Sequence, residues 1–491
     1  MGQKDDTSLP LVAPDHQSRV NEVSRSSRQN ISQCLRLAVF LVLGRFIFTS
    51  YLQSGHRWRA SLSAQQAAWT NSGALSKEFQ QTWATYSPYF AAADYIPPPE
   101  DCRIIQVNLL QRHGARYPTA KNTRKIQKPL QKLVDAASYS DKAFEFLGDF
   151  EWDLGVADLL PLGEKEAFEA GSEHYLRYRH LITADDVPFV RASGSDRVVY
   201  SATNWTAGFA SASGHVYSPK VAVIIPEGHG SNNTLDESTC PNFSSQHGQA
   251  NTWRDVFAPP IADRLNRAAP GAGIDAKDVA SLMPLCAFET IFHGTASPFC
   301  SIFTQEEFQA YEYYVDIKKF YKTGYGNALG PVHGVGYINE LLARLTSRPV
   351  QDETQTNHTL DASPVTFPLN RTFYADFAHS NQMVAIYSAL GLFPQDEPPN
   401  PLLPDPARTW RMSRMMPFSG RLITEKLWCE GGGRDGEYVR ILANDAVQRL
   451  ASCGGEENGL CEMSAFVESQ GYGRSNGNGD WEKCFANVLD I

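Results

Sequence analysis

Seven consecutive residues combine groups that could bind and attack a phosphoryl group: Arg112-His113-Gly114-Ala115-Arg116-Tyr117-Pro118. Arginine presents a planar fork of donors that fits phosphate oxygens. A neutral histidine is a nucleophile at mildly acidic pH, and Gly114 lets a ligand approach the backbone closely. An isolated run of this kind is more often a basic turn on a solvated surface, so its interpretation depends on the rest of the chain.

Strand-like and helical patterns alternate around this run. Residues 104–110 are apolar and predict a buried strand directly before it, and shorter strand-like runs occur at 188–190, 221–225 and 373–376. Helical patterns at 164–179 and 305–321 lie between them. This alternation predicts an α/β sheet whose loops at the strand ends carry the site.

Several other segments follow one family pattern. They are Tyr86-Ser87-Pro88-Tyr89-Phe90, Arg191-Ala192-Ser193-Gly194-Ser195-Asp196-Arg197-Val198, Phe303-Thr304, Lys318-Lys319-Phe320-Tyr321, Gly330-Pro331-Val332-His333-Gly334-Val335-Gly336-Tyr337 and Val439-Arg440-Ile441-Leu442-Ala443-Asn444-Asp445. Together with the first run, they make residues 86–491 resemble the histidine acid phosphatases, and most of all their fungal phytase branch. The resemblance implies a large α/β sheet domain with helices on both faces, a smaller all-α cap domain, and a substrate held between them.

The resemblance also implies roles for individual residues. His113 corresponds to the nucleophile, which forms a phosphohistidine that water then hydrolyses. Arg112, Arg116 and Arg191 correspond to the phosphate clamp, and His379 to the second histidine of the site. Because arginines can neutralise the phosphoryl charge, we expect no metal and no cofactor.

One position departs from the family pattern. The family has an acid directly after the distal histidine, where it protonates the leaving oxygen, but here Ser380 follows His379. A serine hydroxyl is a poor general acid, and general acid catalysis is typically worth roughly 10²–10⁴-fold in rate. Asp376 lies three residues before His379, but the family carries an aspartate there too, so we interpret Asp376 as structural.

Four other residues have a plain structural interpretation beside a functional one. We expect Arg197 to form an ion pair that supports its loop, and His333 to be structural. Lys318 and Lys319 are typical of a solvated helix face, although a highly phosphorylated inositol would need additional cations of this kind.

The composition restricts the class of partner. The 491 residues are 42% hydrophobic and 20% charged, and they carry a net charge of −10. This charge argues against a nucleic-acid partner, and it requires positive potential to be concentrated in a pocket if the substrate is an anion. We expect a phosphorylated small molecule as the partner and a monomeric protein.

The cysteines indicate an oxidising compartment. Cys34 stands apart, and no spacing among the other eight suggests zinc, so disulfides are the better interpretation although their pairing stays open. The resemblance implies Cys102–Cys429, Cys240–Cys484, Cys286–Cys300 and Cys453–Cys461. Glycosylation sequons begin at Asn204, Asn232, Asn242, Asn357 and Asn370, which also favours the secretory pathway and an extracellular, cell-surface or vacuolar location.

The predicted organisation has five parts. Residues 1–33 read as a disordered cytosolic tail, 34–52 as a signal anchor and 53–100 as a stalk and entry segment. A cleaved signal and an incorrect start are the alternatives to the anchor. Residues 101–120, 186–239 and 326–491 are assigned to the α/β domain. Residues 121–185 and 240–325 are assigned to the helical cap.

Two functions remain after these observations. The first is a phytase-like acid phosphatase that hydrolyses phosphomonoesters and is impaired by Ser380. The second is a degenerate member of the family that binds phosphorylated ligands without useful turnover. A cytosolic mutase of the phosphoglycerate type shares the Arg-His-Gly run, but the even cysteine set and the sequons argue against it.

Overall fold

An eight-stranded mixed sheet forms the centre of the fold. The computed structural model describes residues 75–228, 230–450, 453 and 458–486. The strands are β1 (Cys102–Arg112), β2 (Phe189–Ser193), β3 (Val221–Ile225), β4 (Phe373–Ala378), β5 (Arg421–Cys429), β6 (Gly436–Ala443), β7 (Ala446–Gln448) and β8 (Cys461–Glu462). Their order is β3-β2-β4-β1-β5-β6-β7, with β8 paired to β6.

The sheet has a parallel and an antiparallel half. β3, β2, β4 and β1 pair in parallel, and β5 to β8 continue from β1 in antiparallel pairs. The four parallel strands are the ones that the sequence predicts, which confirms the α/β class. The antiparallel half is absent from that prediction.

Helices precede, separate and follow the strands along the chain. They are α1 (Lys77–Gln80), α2 (Ala120–Val134), α3 (Pro161–Tyr178), α4 (Asp196–Ala212), α5 (Gly248–Ala268), α6 (Ala276–Leu282), α7 (Pro284–His293), α8 (Pro298–Ser301), α9 (Gln305–Phe320), α10 (Val335–Thr346), α11 (His358–Asp361), α12 (Ser380–Ala389), α13 (Met412–Met415), α14 (Met463–Ser469), α15 (Gly471–Arg474) and α16 (Asp480–Lys483). Helix α9 begins at a capping box between Thr304 and Glu307 and ends with Lys318 and Lys319 in its last turn, both favourable for a helix dipole.

Strand alternation separates two hydrophobic cores. Phe373 and Phe377 of β4 lie in one core with Trp205 of α4. Tyr374 and Ala378 belong to the other core, together with residues of α9 and α10. Successive side chains of a strand point to opposite faces, so the two cores cover the two faces of the sheet.

Helix α3 belongs to the sheet and not to a cap. It packs against α4 so closely that a Cβ on Gly171 would lie 1.9 Å from the Trp205 carbonyl oxygen. Tyr178, at the end of α3, lies in the same core as the sheet residues. The predicted cap segment 121–185 is therefore too long at its C-terminal end, whereas α2, α5, α6 and α9 do pack against one another.

The described residues form four disulfides, two of which link distant parts of the chain. They are Cys102–Cys429, Cys240–Cys484, Cys286–Cys300 and Cys453–Cys461, the pairings that the resemblance implies. The first two join residues 327 and 244 positions apart, and closing long loops restricts the unfolded chain most in the chain-entropy account.

The described residues contain no helix with the length and apolar character of a membrane span. Cys34 and the predicted tail and anchor, residues 1–33 and 34–52, lie outside the described part of the chain, as does the first half of the predicted stalk.

Candidate active site

Three loops that carry polar site residues begin at one edge of the sheet. β1 and β4 pair in parallel with Arg112 opposite Ala378, so His113 and His379 directly follow neighbouring strands. β2 lies on the other side of β4, and Arg197 is in the first turn of α4, just after β2. The carboxyl edge of parallel strands is where open α/β sheets place their ligands.

His113 is buried and held in one tautomer. Its side chain is 3% exposed, and Nδ1 donates to the carbonyl oxygen of Gly114 at 2.9 Å. Burial and the neighbouring cations Arg112, Arg116, His379 and Arg197 hold the pKa of His113 well below its usual 6.5. The ring is therefore neutral at mildly acidic pH, and its Nε2 is left to attack an electrophile.

Three arginines beside His113 lack an anionic partner. Arg112 donates from Nη1 to the carbonyl oxygens of Thr85 (2.6 Å) and Met416 (2.9 Å), and Arg116 donates to that of Tyr117 (2.7 Å). Within the described part of the chain, neither they nor Arg197 pair with a carboxylate, and the Nε of each is buried without a hydrogen-bond partner.

The charge of this cluster is retained despite its burial. Burial lowers the pKa of Arg112 to about 9 and that of Arg116 to about 10, which leaves both guanidinium groups protonated in acid. Arg197 lies next to His379, with its Nη2 3.3 Å from the Nδ1 of that ring. Uncompensated buried cations with free donors are suited to bind an anion of high charge such as phosphate.

Arg191 does not belong to this cluster, contrary to the prediction from the resemblance. Its guanidinium contacts Glu340 at 2.6 Å and Asp376 at 2.7 Å, and Arg344 contacts Asp376 at 2.6 Å. The reason is strand alternation: Val190 and Ala192 face the core on the α4 side, so Arg191 faces the other side and meets Glu340 of α10.

The prediction that Arg197 forms a supporting ion pair is also wrong, because Arg197 lies beyond the end of β2 and not within it. Arg197 follows the end of β2 and begins a helix, which brings its side chain to the ligand edge of the sheet. The structure thus places Arg197, and not Arg191, beside His379.

Asp376 and His333 are structural, as predicted. Asp376 is 0% exposed, and although burial opposes its ionisation, Arg191 and Arg344 lower its pKa to about 2. His333 is fully buried and lies edge-on to Phe243, with ring centroids 4.8 Å apart. A carboxylate that is neutralised by two arginines has no proton to give at mildly acidic pH.

Glu166 of α3 fixes the loop that carries His113. Its two oxygens accept from the backbone N–H groups of Tyr89 (2.8 Å) and Ala115 (2.9 Å). A Cβ on Gly114 would lie 2.3 Å from the carbonyl oxygen of Gly163, at the start of α3. Gly114 is therefore required for the close packing of the loop on α3, rather than for the approach of a ligand.

His379 is oriented by Glu227, which follows β3. Its Nε2 lies 2.7 Å from Glu227 Oε1, which also accepts from the Ser193 hydroxyl (2.7 Å) and the Ser195 N–H (2.9 Å). Burial opposes the ionisation of Glu227, but the hydrogen bond and charge of His379, together with the hydrogen bonds from Ser193 and Ser195, lower its pKa to about 2. The carboxylate therefore stays ionised in acid. Through hydrogen bonds it connects His379 with Ser193 at the end of β2 and with Ser195 in the loop that follows.

Asp236 joins Glu227 and His379 in a small acidic cluster. The nearest ligand atoms of the three side chains all lie within 4.8 Å of one another. Arg197 contacts the same histidine, and a guanidinium at this position disfavours a cation. We interpret the cluster as an orienting network for His379.

Ser380 begins α12 and is contacted by a lysine from α9. Lys319 Nζ lies 3.2 Å from Ser380 Oγ and 2.5 Å from Asn381 Oδ1. Asn381 in turn donates to Glu237. Lys319 thus reaches the position at which the resemblance implies an acid, and it is not a freely solvated lysine.

Known proteins are similar to this chain in sequence and in fold. Residues 103–444 match the family described as "Histidine phosphatase superfamily (branch 2)". The chain is 40% identical over 424 residues to Phytase A of Aspergillus fumigatus, covering 82% of this chain and 90% of the relative. It is 39% identical over 426 residues to Phytase A of Arthroderma benhamiae, covering 83% and 92%. The chain belongs to the histidine phosphatase superfamily, branch 2.

Solved structures agree with this membership. The phytase from D. castellii superposes with a TM-score of 0.68 at 25% identity, covering 84% of this chain and 88% of the other. A Bifidobacterium longum multiple inositol polyphosphate phosphatase, in complex with inositol hexasulfate, gives a TM-score of 0.59 at 14% identity, covering 80% and 98%, which shows the fold alone. By family and fold, this histidine phosphatase is a phosphoric monoester hydrolase.

A basic pocket of about 460 Å³ adjoins the site of this histidine phosphatase. Its lining includes Lys125, His247, Arg254, Lys277 and Lys318, and it contains no acidic residue. Burial and the nearby cations Lys125, Lys322 and Lys121 lower the pKa of Lys318 to about 8. Tyr86 also lines the pocket and interacts electrostatically with Arg112 and Arg116, so the pocket and the arginine cluster share a border.

Three functional residues of this histidine phosphatase were missed or misassigned from the sequence. Arg197 could have been recognised by the Gly194-Ser195 turn, which marks the end of the strand and puts Arg197 beyond it. Glu227 follows a strand-like run at the same edge, a signal that was available. Glu166 lies within a helix, and nothing in its local sequence indicates that it accepts two backbone hydrogen bonds.

Proposed function

We propose that this protein is a phytase-like acid phosphatase that hydrolyses phosphomonoesters through a phosphohistidine at His113. The observation that carries the proposal is a neutral, buried imidazole beside three guanidinium groups that have no carboxylate partner among the residues the structure describes. Phosphoryl transfer depends mainly on positioning and on neutralising the equatorial oxygens. Arg112, Arg116 and Arg197, with His379, would hold the phosphoryl group while Nε2 of His113 attacks phosphorus.

The substrate would carry more than one phosphate. The basic pocket next to the arginine cluster supplies lysines that a simple monoester does not need. Relatives at about 40% identity carry the name Phytase A, which fits an inositol polyphosphate as the substrate. Lys318 is then a substrate-binding residue.

The rate would be reduced relative to enzymes with an acid after the distal histidine. Ser380 cannot act as a strong proton donor itself, and a proton supply less effective than a direct carboxyl donor would cost part of the roughly 10²–10⁴-fold that general acid catalysis provides. The effect should be greatest for alkyl phosphates, whose leaving oxygens need a proton, and small for aryl phosphates with good leaving groups.

We also propose that the protein matures in the secretory pathway and acts as a monomer. The four disulfides need an oxidising compartment, and two of the sequon asparagines, Asn232 and Asn370, are exposed. Membrane attachment through residues 34–52 remains part of this proposal.

The proposal is tested with the full chain expressed in a secretory host. We expect hydrolysis of inositol hexakisphosphate and of an aryl phosphate at mildly acidic pH, and a ³²P-labelled histidine after rapid acid-free quenching. His113→Ala should abolish both. If the wild type binds inositol hexakisphosphate but shows neither turnover nor labelling, the protein is a binding member of the family and the enzyme proposal is wrong.

A further inference from the structure

Because Ser380 replaces the acid next to His379, the site lacks the proton donor that the resemblance implies for the leaving oxygen. When the ester P–O bond breaks, the electron pair stays on the leaving oxygen, which needs a proton if the alcohol is a poor leaving group. Ser380 stands where the resemblance implies that donor, and its hydroxyl can pass a proton on only if another group replaces it. Such a relay therefore requires an acid in contact with Ser380.

Lys319 is the acid that contacts Ser380. It lies in the last turn of α9, and its ammonium nitrogen is 3.2 Å from the Ser380 hydroxyl oxygen. A second contact, 2.5 Å to Asn381 Oδ1, holds the ammonium group at the start of α12. The lysine is partly buried and interacts electrostatically with Arg112 of the arginine cluster.

The surroundings of Lys319 make its ammonium group a stronger acid than an ordinary lysine. Burial holds its pKa well below 10.5, and the cations Lys322, Arg112 and Lys318 act in the same direction. The carboxylate of Glu237 acts in the opposite direction. A donor whose pKa lies closer to the working pH transfers its proton more readily.

We propose that Lys319 supplies the proton for the leaving ester oxygen, with the Ser380 hydroxyl as the relay. This inference rests on the proposed phosphatase function. As the P–N bond to His113 forms and the P–O bond breaks, the Ser380 proton moves to the leaving oxygen and a Lys319 proton moves to Ser380 Oγ. Lys319 is left as a neutral amine and the alcohol departs uncharged.

The second half-reaction returns the proton. A water molecule attacks the phosphohistidine and gives a proton through Ser380 to the Lys319 amine. The P–N bond breaks, inorganic phosphate forms, and the starting protonation state is restored. No additional reactant is needed.

Neighbouring carboxyl groups fit this role less well. Asp376 is neutralised by Arg191 and Arg344, and Glu227 holds His379 as an ionised carboxylate. Asp236 is the strongest competitor, because burial raises its pKa. However, its hydrogen-bond partner is Ser238 and no contact with Ser380 is present among the described residues.

The decisive variant is Lys319→Arg in the full chain, which keeps the positive charge but cannot release a proton. We expect kcat for an alkyl phosphate to fall on the order of 10²-fold, with KM little changed, and kcat for an aryl phosphate with a good leaving group to stay near that of the wild type. The alkaline limb of the kcat–pH profile for the alkyl substrate should also disappear. Lys322→Arg, on the turn after the same helix, is the matched control and should leave the leaving-group preference unchanged.

Two changes at Ser380 provide an independent test. Ser380→Ala should reproduce the selective loss on the alkyl substrate, and Ser380→Thr, which retains a hydroxyl, should not. In a Ser380→Asp background a carboxyl replaces the relay, so adding Lys319→Arg should then have little effect.

Several results would overturn the proposal. They are an equal loss on both substrates in Lys319→Arg, a loss that persists in the Ser380→Asp background, and a selective loss in Asp236→Asn that Lys319→Arg lacks. A wild type without turnover or phosphohistidine would refute the phosphatase function and this inference together. Turnover that depends on His113 but not on Lys319 would refute the inference alone.

Discussion

Arg191 and Arg197 lie six positions apart in the chain, yet one is enclosed by carboxylates and the other is the arginine that we propose to bind phosphate. Arg191 sits within β2, and its Nε, Nη1 and Nη2 atoms each donate to Glu340 or Asp376. Arg197 lies beyond the strand end, next to His379 and without a carboxylate partner in the described part of the chain. We therefore expect Arg191 to contribute mainly to stability and Arg197 mainly to activity.

Replacing each arginine by methionine should separate these effects. Arg197→Met removes a donor to the phosphoryl group, and we expect kcat/KM to fall by roughly 10²–10³-fold with little change in unfolding free energy. Arg191→Met leaves Glu340 and Asp376 with one buried cation fewer and should destabilise the fold by about 3–5 kcal/mol. Urea unfolding and steady-state kinetics measure both, and a destabilised Arg197→Met with normal kinetics would contradict the assignment.

The protonation of His113 gives a second prediction at this scale. Because burial and the arginines hold its pKa well below 6.5, the folded protein does not take up this proton as the pH falls through 6.5, whereas the unfolded chain does. The ring should stay neutral in NMR titrations at pH values where exposed histidines are already charged. Stability contributed by this site should fall as the pH decreases below 6.5.

The ring signal can be assigned by its absence in His113→Gln. A titration midpoint at or above 6.5 would show that the arginine cluster does not act on the ring as the structure indicates.

At the scale of elements, the loop after β1 depends on its contact with the start of α3. Gly114→Ala would place a Cβ 2.3 Å from the backbone oxygen of Gly163, and neither backbone can move without displacing His113 or Glu166. We expect a loss of about 1–3 kcal/mol in stability, and an activity loss of about 10²-fold from the misplaced nucleophile. Gly148→Ala is the matched control, because nothing lies within 4 Å of its added Cβ.

The parallel half of the sheet and most of the site could be predicted from the sequence because they depend on local signals. The strand before His113 and the strand before His379 are both rich in apolar residues and end at the motif. The antiparallel half was missed, although Leu422, Ile423 and Leu427 of β5 are apolar and buried, because no motif drew attention to that segment.

The errors within the site have a different origin. Which face of β2 Arg191 occupies depends on the register of β2 with β4, and on Glu340, which is 149 residues away along the chain. Similarly, Lys319 of α9 and Ser380 of α12 are 61 positions apart along the chain. Their contact depends on how the two helices are placed relative to each other. Neither can be read from local periodicity, since both are properties of tertiary packing.

At the scale of the whole molecule, an acidic protein has concentrated positive charge in one place. The chain carries a net charge of −10. In contrast, the arginine cluster is cationic, and the described residues that line the adjoining basic pocket include lysines and an arginine but no acidic side chain. Such a distribution repels anions at long range and attracts them near the site, and both effects are screened within about 10 Å at 0.1 M salt. The local attraction should dominate for a ligand with many phosphates.

This arrangement predicts a substrate-dependent response to salt. Raising the ionic strength from low salt to about 0.15 M should reduce kcat/KM for inositol hexakisphosphate on the order of tenfold, and that for an aryl monophosphate much less. The double variant Lys125→Gln, Lys277→Gln should remove most of the difference, because both lysines line the pocket. Lys220→Gln, exposed just before β3 at the opposite edge of the parallel strands, should leave it intact. An equal response of both substrates in the wild type would mean that the pocket does not bind the additional phosphates.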